Sequence, residues 1–203
     1  GNIGTMAALG APADGYTLLL SAASFTIVPA AVRPDQPYDL LRDLVPQDIA
    51  VVALMMDNAR ADVEKVVESL RPDVLQFHGG EDDAFCASFG LPFWKAIAMG
   101  GQAEAAFSAI SRYPGASGFL FDGHAAGEQG GSGKRFDWKQ MPSALDRPFF
   151  LAGGLSPENV GVALQTARPW GVDVSSGIEA APGIKHADKM RQFVEAVRLA
   201  DAA

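Results

Sequence analysis

One cysteine, Cys86, in 203 residues excludes an internal disulfide and fits a reducing compartment. No apolar run reaches the roughly 18 residues of a membrane span, so no membrane partner is expected. No His, Cys or Asp cluster has metal-ligand spacing, and no G-x-S-x-G nucleophile elbow is present. Basic residues are outnumbered, 16 Lys and Arg against 24 Asp and Glu, and the net charge of −8 argues against nucleic acid as a partner. An anionic ligand would have to be held by local dipoles and a few cations, not by the overall field. The chain begins with Gly1 and has no charged segment followed by an apolar one, so no signal peptide is visible and a cytoplasmic location is expected. The front end reads as a fragment or a junction.

What is present are short apolar runs that break into Gly or Ser. Candidate strands are Tyr16–Ser21, Ile49–Met55, Val74–Gln76, Trp94–Ile97, Gly118–Phe121, Phe149–Ala152 and Val172–Val174. Most are continuous rather than alternating, the pattern of strands buried on both faces. Helical patterns fall between them: Asn58–Leu70 with Val63, Val66, Val67 and Leu70 on one face, Asp82–Phe89, Ala103–Ser111, Pro157–Gln165 with Ser156 as N-cap, and Lys185–Leu199. From Ile49 onward strand starts recur every 20 to 31 residues, which reads as repeated βα units on a parallel sheet. Residues Ala22–Val45 are poorly periodic, and Asp122–Asp137 is a long Gly-rich loop.

Two strand ends carry the strongest functional signal. Phe149-Phe150-Leu151-Ala152-Gly153-Gly154-Leu155 and Val172-Asp173-Val174-Ser175-Ser176-Gly177-Ile178-Glu179 stand one helix apart. Glycines let backbone N–H groups approach an anion, and in a (β/α)8 barrel the loops after the last two strands are the usual phosphate site. Gly153, Gly154, Ser175, Ser176 and Gly177 are therefore candidates for a phosphate cradle. Asp122 closes an apolar strand, the place where barrels put catalytic groups, although a carboxylate there can equally open a turn. His78 also ends a strand; alone it reads better as a turn histidine. Asp173, among apolar residues, needs a partner or a ligand, and Lys95 is one available cation. Cys86, at helical spacing, reads as a packed thiol. His124 and Lys134 could meet an anion or merely solubilise their loop. Gly130-Gly131-Ser132-Gly133-Lys134 matches a nucleotide P-loop only in part, since Arg135 stands where Ser or Thr should be.

Six motifs in order resemble phosphoribosylanthranilate isomerases of tryptophan biosynthesis. They are Leu75-Gln76-Phe77-His78-Gly79, Trp94-Lys95-Ala96-Ile97, Phe119-Leu120-Phe121-Asp122, Gly130-Gly131-Ser132-Gly133 with Phe136-Asp137-Trp138, Leu151–Leu155 and Val172–Glu179. The likeness runs from about Ile49 to the end. It implies an α/β fold, a (β/α)8 TIM barrel, and an Amadori rearrangement of a small phosphosugar substrate without metal or cofactor. It gives Asp122 the role of general acid, the Gly and Ser strand ends that of phosphate cradle, and His78 and Asp173 positions in the substrate pocket.

The front departs from this pattern. No run resembles the family's K-I-C-G first strand, whose cysteine is the general base, and Tyr16–Ser21 is not followed by a Ser-Pro-Arg-like turn. Gly1–Val45 instead somewhat resembles solute receptors of tripartite tricarboxylate transporters. The expectation is one barrel domain over 1–203, lacking the first strand, with 1–45 atypical or foreign and 46–203 isomerase-like, and with self-association through an open barrel edge. A truncated or chimeric barrel that at most binds phosphate is the alternative function. A carboxylate-binding protein would leave the six rear motifs unexplained. A sibling isomerase of histidine biosynthesis would need a second aspartate on the front strand.

Overall fold

A computed structural model of the chain describes residues 50–100, 103–123, 136–141 and 145–202. These divide into two compact units, one ending at Phe93 and one beginning at Trp94. The strand expected at Tyr16–Ser21, and the loop residues His124 and Lys134, lie outside the described residues.

In the first unit, β1 (Val52–Met55) pairs in parallel with β2 (Val74–Phe77) through the crossover helix α1 (Arg60–Leu70). Val63 and Val66 of α1 are buried, the face expected from their spacing. All four residues of β2 are buried, as a strand covered on both faces requires. α2 (Asp83–Ala87) is short and is started by Asp82, whose side chain accepts from the Phe85 N–H. It places Phe85 and Phe89 against the ring of Phe77, at centroid distances of 6.1 Å each. Cys86 of α2 is free and fully buried.

In the second unit β3 (Phe93–Ala98, all but its first residue) runs parallel to β4 (Gly118–Asp122), β4 to β5 (Phe149–Leu151), and β5 to β6 (Gly171–Val172). α3 (Ala103–Ile110) joins β3 to β4 and α4 (Val160–Ala167) joins β5 to β6. Every residue of β4 and β5 is buried. Phe150 explains why β6 opens on glycine: a Cβ at Gly171 would fall 2.7 Å from its ring. That ring sits beside Trp94 and Trp170, at 4.3 and 5.1 Å between centroids. The main core of the unit joins Leu151, Leu155, Val160, Ala163, Ile178 and Phe193.

The end of the chain differs from the sequence expectation. Lys185 does not begin the last helix. β7 (Glu179–Ala181) and β8 (Ile184–Lys185) form an antiparallel hairpin instead, and the helix α5 spans Ala187–Asp201. The cause is Pro182-Gly183, the pair that fits the two central positions of a type II turn; Gly183 has φ +76°. α4 also starts later than expected. Asn159, not Ser156, is its N-cap residue, and residues 157–159 form a preceding turn.

Candidate active site

Parallel strands direct all their C-terminal ends to one side, so the residues that leave β4, β5 and β6 are neighbours. Asp122 is the last residue of β4, opposite Ala98 in the register, and only 6% exposed. Its carbonyl accepts from the Met99 N–H at 2.8 Å, and the preceding Phe121 carbonyl accepts from the Ala152 N–H at 2.7 Å. The main chain that carries the carboxylate is thus held from both flanking strands.

Gly153 and Gly154 leave β5 with φ of +85° and +64°, conformations that favour glycine. A Cβ on Gly153 would lie 2.3 Å from the Gly123 backbone nitrogen and 2.7 Å from Asp122 Oδ1. The segment is tied to α4 by Asn159. Its Oδ1 accepts from the Ser156 N–H and its Nδ2 donates to the Gly154 carbonyl, both at 2.9 Å. Asn159 was not among the residues expected here; an amide three residues after Ser156 is the signal in the sequence.

Beyond β6 the chain continues through Asp173, whose N–H donates to the Leu151 carbonyl at 2.9 Å, into a 3-10 turn over Ser176–Ile178. Gly177 is pressed onto the loop after β5: a Cβ there would stand 1.8 Å from the Leu155 carbonyl oxygen. The two Gly and Ser segments expected to cooperate are therefore in direct contact. Ser175 and Ser176 are exposed.

Charge is concentrated around Asp173. Burial pushes its carboxyl up to about 6, the Asp122 carboxylate adds to the rise, and Lys185 opposes it. Lys185 is thus a cation acting on Asp173; Lys95 Nζ lies 5.4 Å from the Tyr113 ring centroid. Lys185 also meets Ser175 and Glu179. Its hydrogen bond holds the Glu179 carboxyl below the usual carboxylate range.

His78 belongs to the first unit, just past β2. Its N–H donates to the Met55 carbonyl at 2.8 Å, and the Gln76 amide hydrogen-bonds its ring, Nε2 to Nε2, at 2.6 Å. The turn that follows is shaped by Asp57, which adopts φ +53°. Asp57 Oδ1 accepts from the Gly80 N–H at 2.6 Å, and its own N–H donates to Glu81 Oε1 at 2.7 Å. Among the described residues no group of three His, Cys, Asp or Glu side chains can hold a metal ion, and no helix is long and apolar enough to cross a membrane.

A buried carboxylate at a strand end, beside two glycine-rich strand exits, is an arrangement for acid catalysis next to an anion. Comparison with known proteins gives the family. The sequence profile of N-(5'phosphoribosyl)anthranilate (PRA) isomerase matches residues 23–196. The chain belongs to the phosphoribosylanthranilate isomerase family. The N-(5'-phosphoribosyl)anthranilate isomerase of Stenotrophomonas maltophilia (strain R551-3) is 48% identical over 202 residues, covering 99% of this chain and 89% of the relative. The crystal structure of the phosphoribosyl anthranilate isomerase from Thermotoga maritima superposes with a TM-score of 0.67 at 31% identity, covering 76% of this chain and 75% of that one. Another member of the isomerase family, solved in complex with reduced 1-(O-carboxyphenylamino)-1-deoxyribulose 5-phosphate, gives a TM-score of 0.61 at 26% identity, covering 76% and 74%.

The fold is accordingly the α/β barrel fold of that isomerase family. The family match also begins at residue 23, ahead of the motifs that start near Ile49, and the Stenotrophomonas alignment takes in the front segment. Gly1–Val45, which somewhat resembles solute receptors, thus lies in a stretch aligned with the isomerase.

Proposed function

We propose that this chain converts N-(5'-phosphoribosyl)anthranilate to 1-(2-carboxyphenylamino)-1-deoxyribulose 5-phosphate, an Amadori rearrangement in tryptophan biosynthesis. The observation that carries the residue assignment is Asp122: a buried strand-end carboxylate whose Oδ1 lies within 2.7 Å of the position a Gly153 Cβ would take. In this reading Asp122 is the general acid. It gives its proton to the ribose ring oxygen as the C1–O bond breaks, and the anilino nitrogen lone pair supplies the electrons that form the Schiff base. A base other than the residues assigned here takes the C2 proton, giving the enolamine, which tautomerises to the ketose.

The backbone at Gly153–Gly154 and at Ser175–Gly177 receives the 5-phosphate. Left-handed glycines and a turn with exposed serines present N–H groups without intervening side chains. Asp173 and His78 serve as substrate-binding residues; with a carboxyl pKa of about 6, Asp173 accepts or donates a hydrogen bond near neutrality. The partner is a small phosphosugar, the location cytoplasmic, and residues 1–203 form one barrel domain that self-associates through an open strand edge.

The test is turnover by the purified full chain of substrate made in situ, followed as the loss of anthranilate fluorescence. A substrate-dependent rate supports the assignment. Absence of turnover alongside retained binding of inorganic phosphate would return the non-enzymatic reading.

A further inference from the structure

Lys185 stands where three parts of the candidate site meet. The Pro182-Gly183 turn brings it back across from Glu179 in the β7–β8 register. Its Nζ donates to the Ser175 carbonyl oxygen at 2.8 Å and to Glu179 Oε1 at 2.8 Å, and lies 3.3 Å from Ser175 Oγ. An ammonium has three N–H donors, and these three contacts account for them. Glu179 is itself braced, since its carbonyl accepts from Lys189 Nζ at 2.8 Å. The Lys185–Glu179 pair is partly shielded, with side chains 30% and 15% exposed, so screening by water is incomplete.

The direction of the Ser175 carbonyl matters for its neighbour. In a trans peptide the C=O and the following N–H point in opposite directions. A Ser175 carbonyl held toward Lys185 turns the Ser176 N–H away from Lys185. The carbonyl is thereby kept from an approaching anion and the peptide dipole is aligned.

We infer that Lys185 is a positioning residue for the anion cradle: braced by Glu179, it fixes the carbonyl and hydroxyl of Ser175 and so sets the shape in which Ser175–Gly177 receives the substrate phosphate. This rests on the phosphate reading proposed above. Lys185 acts through Ser175 and does not itself hold the phosphate.

The experiment compares Lys185→Met, Lys185→Arg and Glu179→Gln in the full chain, by steady-state kinetics and by calorimetric titration with inorganic phosphate. Lys185→Met is expected to raise KM and the phosphate Kd about tenfold, the scale of a lost charge-assisted hydrogen bond, with kcat changed less than about threefold. Lys185→Arg, which keeps charge and donors, should restore most of the KM. Glu179→Gln should move KM in the same direction by less, and the double variant Lys185→Met/Glu179→Gln should be no worse than Lys185→Met alone, because the two act as one unit. Unchanged KM and phosphate Kd in Lys185→Met and Glu179→Gln overturn the inference, even if thermal stability falls. A kcat loss as large as the KM rise also overturns it, since Lys185 would then act on the chemistry. Should the parent show no turnover, the isomerase reading fails, but the phosphate titration still decides: weaker binding in Lys185→Met upholds the clamp, and equal or absent binding in parent and variant overturns it.

Discussion

The Cα of Gly153 and the carboxylate of Asp122 are packed so closely that any side chain on Gly153 would collide with Oδ1, which lies 2.7 Å from the Cβ position. The general acid proposed for this enzyme therefore has a wall made of main chain from the next strand. Gly153→Ala should lower kcat/KM by about a hundredfold or more, because the new methyl group displaces the carboxylate and opposes φ of +85°. The check is turnover measured beside circular dichroism. Parent-like kinetics would show that the carboxylate is not where catalysis needs it.

Asp122→Asn tests the acid itself. The amide keeps the shape but has no carboxyl proton to give, and the rate should fall by about 10²–10⁴-fold with the fold retained. Most of the parent rate surviving would remove Asp122 from the chemistry.

Asp173 should make stability depend on pH. Its folded value of about 6 lies above the ordinary 3.8, so the native state holds the proton more tightly than the unfolded chain. Stability therefore falls as pH rises from about 4 through 6, and the penalty is complete above that. Asp173→Asn should stabilise the fold at pH 7.5, by up to about 3 kcal/mol seen as a higher thermal midpoint, and give no gain at pH 4. Equal shifts at both pH values would contradict the raised pKa.

Gly177→Ala examines the contact between the two loops. Its Cβ would sit 1.8 Å from a backbone carbonyl oxygen, that of Leu155, which no side-chain rotation can relieve. The loops must part, and affinity for inorganic phosphate in a calorimetric titration should fall at least about tenfold. Retained affinity would mean that the cradle does not need this apposition.

Cys86 offers a control. It is buried on α2 behind Phe85 and Phe89 and is not expected to act as a base. Cys86→Ala should leave kcat/KM within about twofold while costing about 1 kcal/mol of stability. A collapse of activity in a folded protein would put the thiol in the mechanism.

Much of this arrangement was legible in the sequence because it rests on local pattern. Continuous apolar runs such as Phe119–Phe121 marked strands covered on both faces, and the glycines at 153 and 154 marked a strand exit open to close backbone approach. The contacts that organise the site were not legible, because each joins residues through the fold. Lys185 looked like the start of a helix; only the Pro182-Gly183 turn, a two-residue signal, diverts it into a strand opposite Glu179. Lys95 looked as plausible a cation for Asp173, since spacing along a chain says nothing about which strand end a side chain reaches. Asn159 was hidden in the same way: its amide serves the loop behind it rather than the helix ahead.

The β7–β8 hairpin has a consequence for how sequences of this kind can vary. Successive residues of a strand face opposite sides, so inserting or deleting one residue between Ala181 and Ile184 would turn Lys185 to the other face while leaving a hairpin able to form. The ammonium would then be lost to Ser175, Glu179 and Asp173 in a single step, with little change in the buried core around Phe193. Length at this turn is thus under a tighter constraint than residue identity. A one-residue length change here is expected to pass as a harmless loop variant in any folding assay and to be exposed only when the phosphosugar is added.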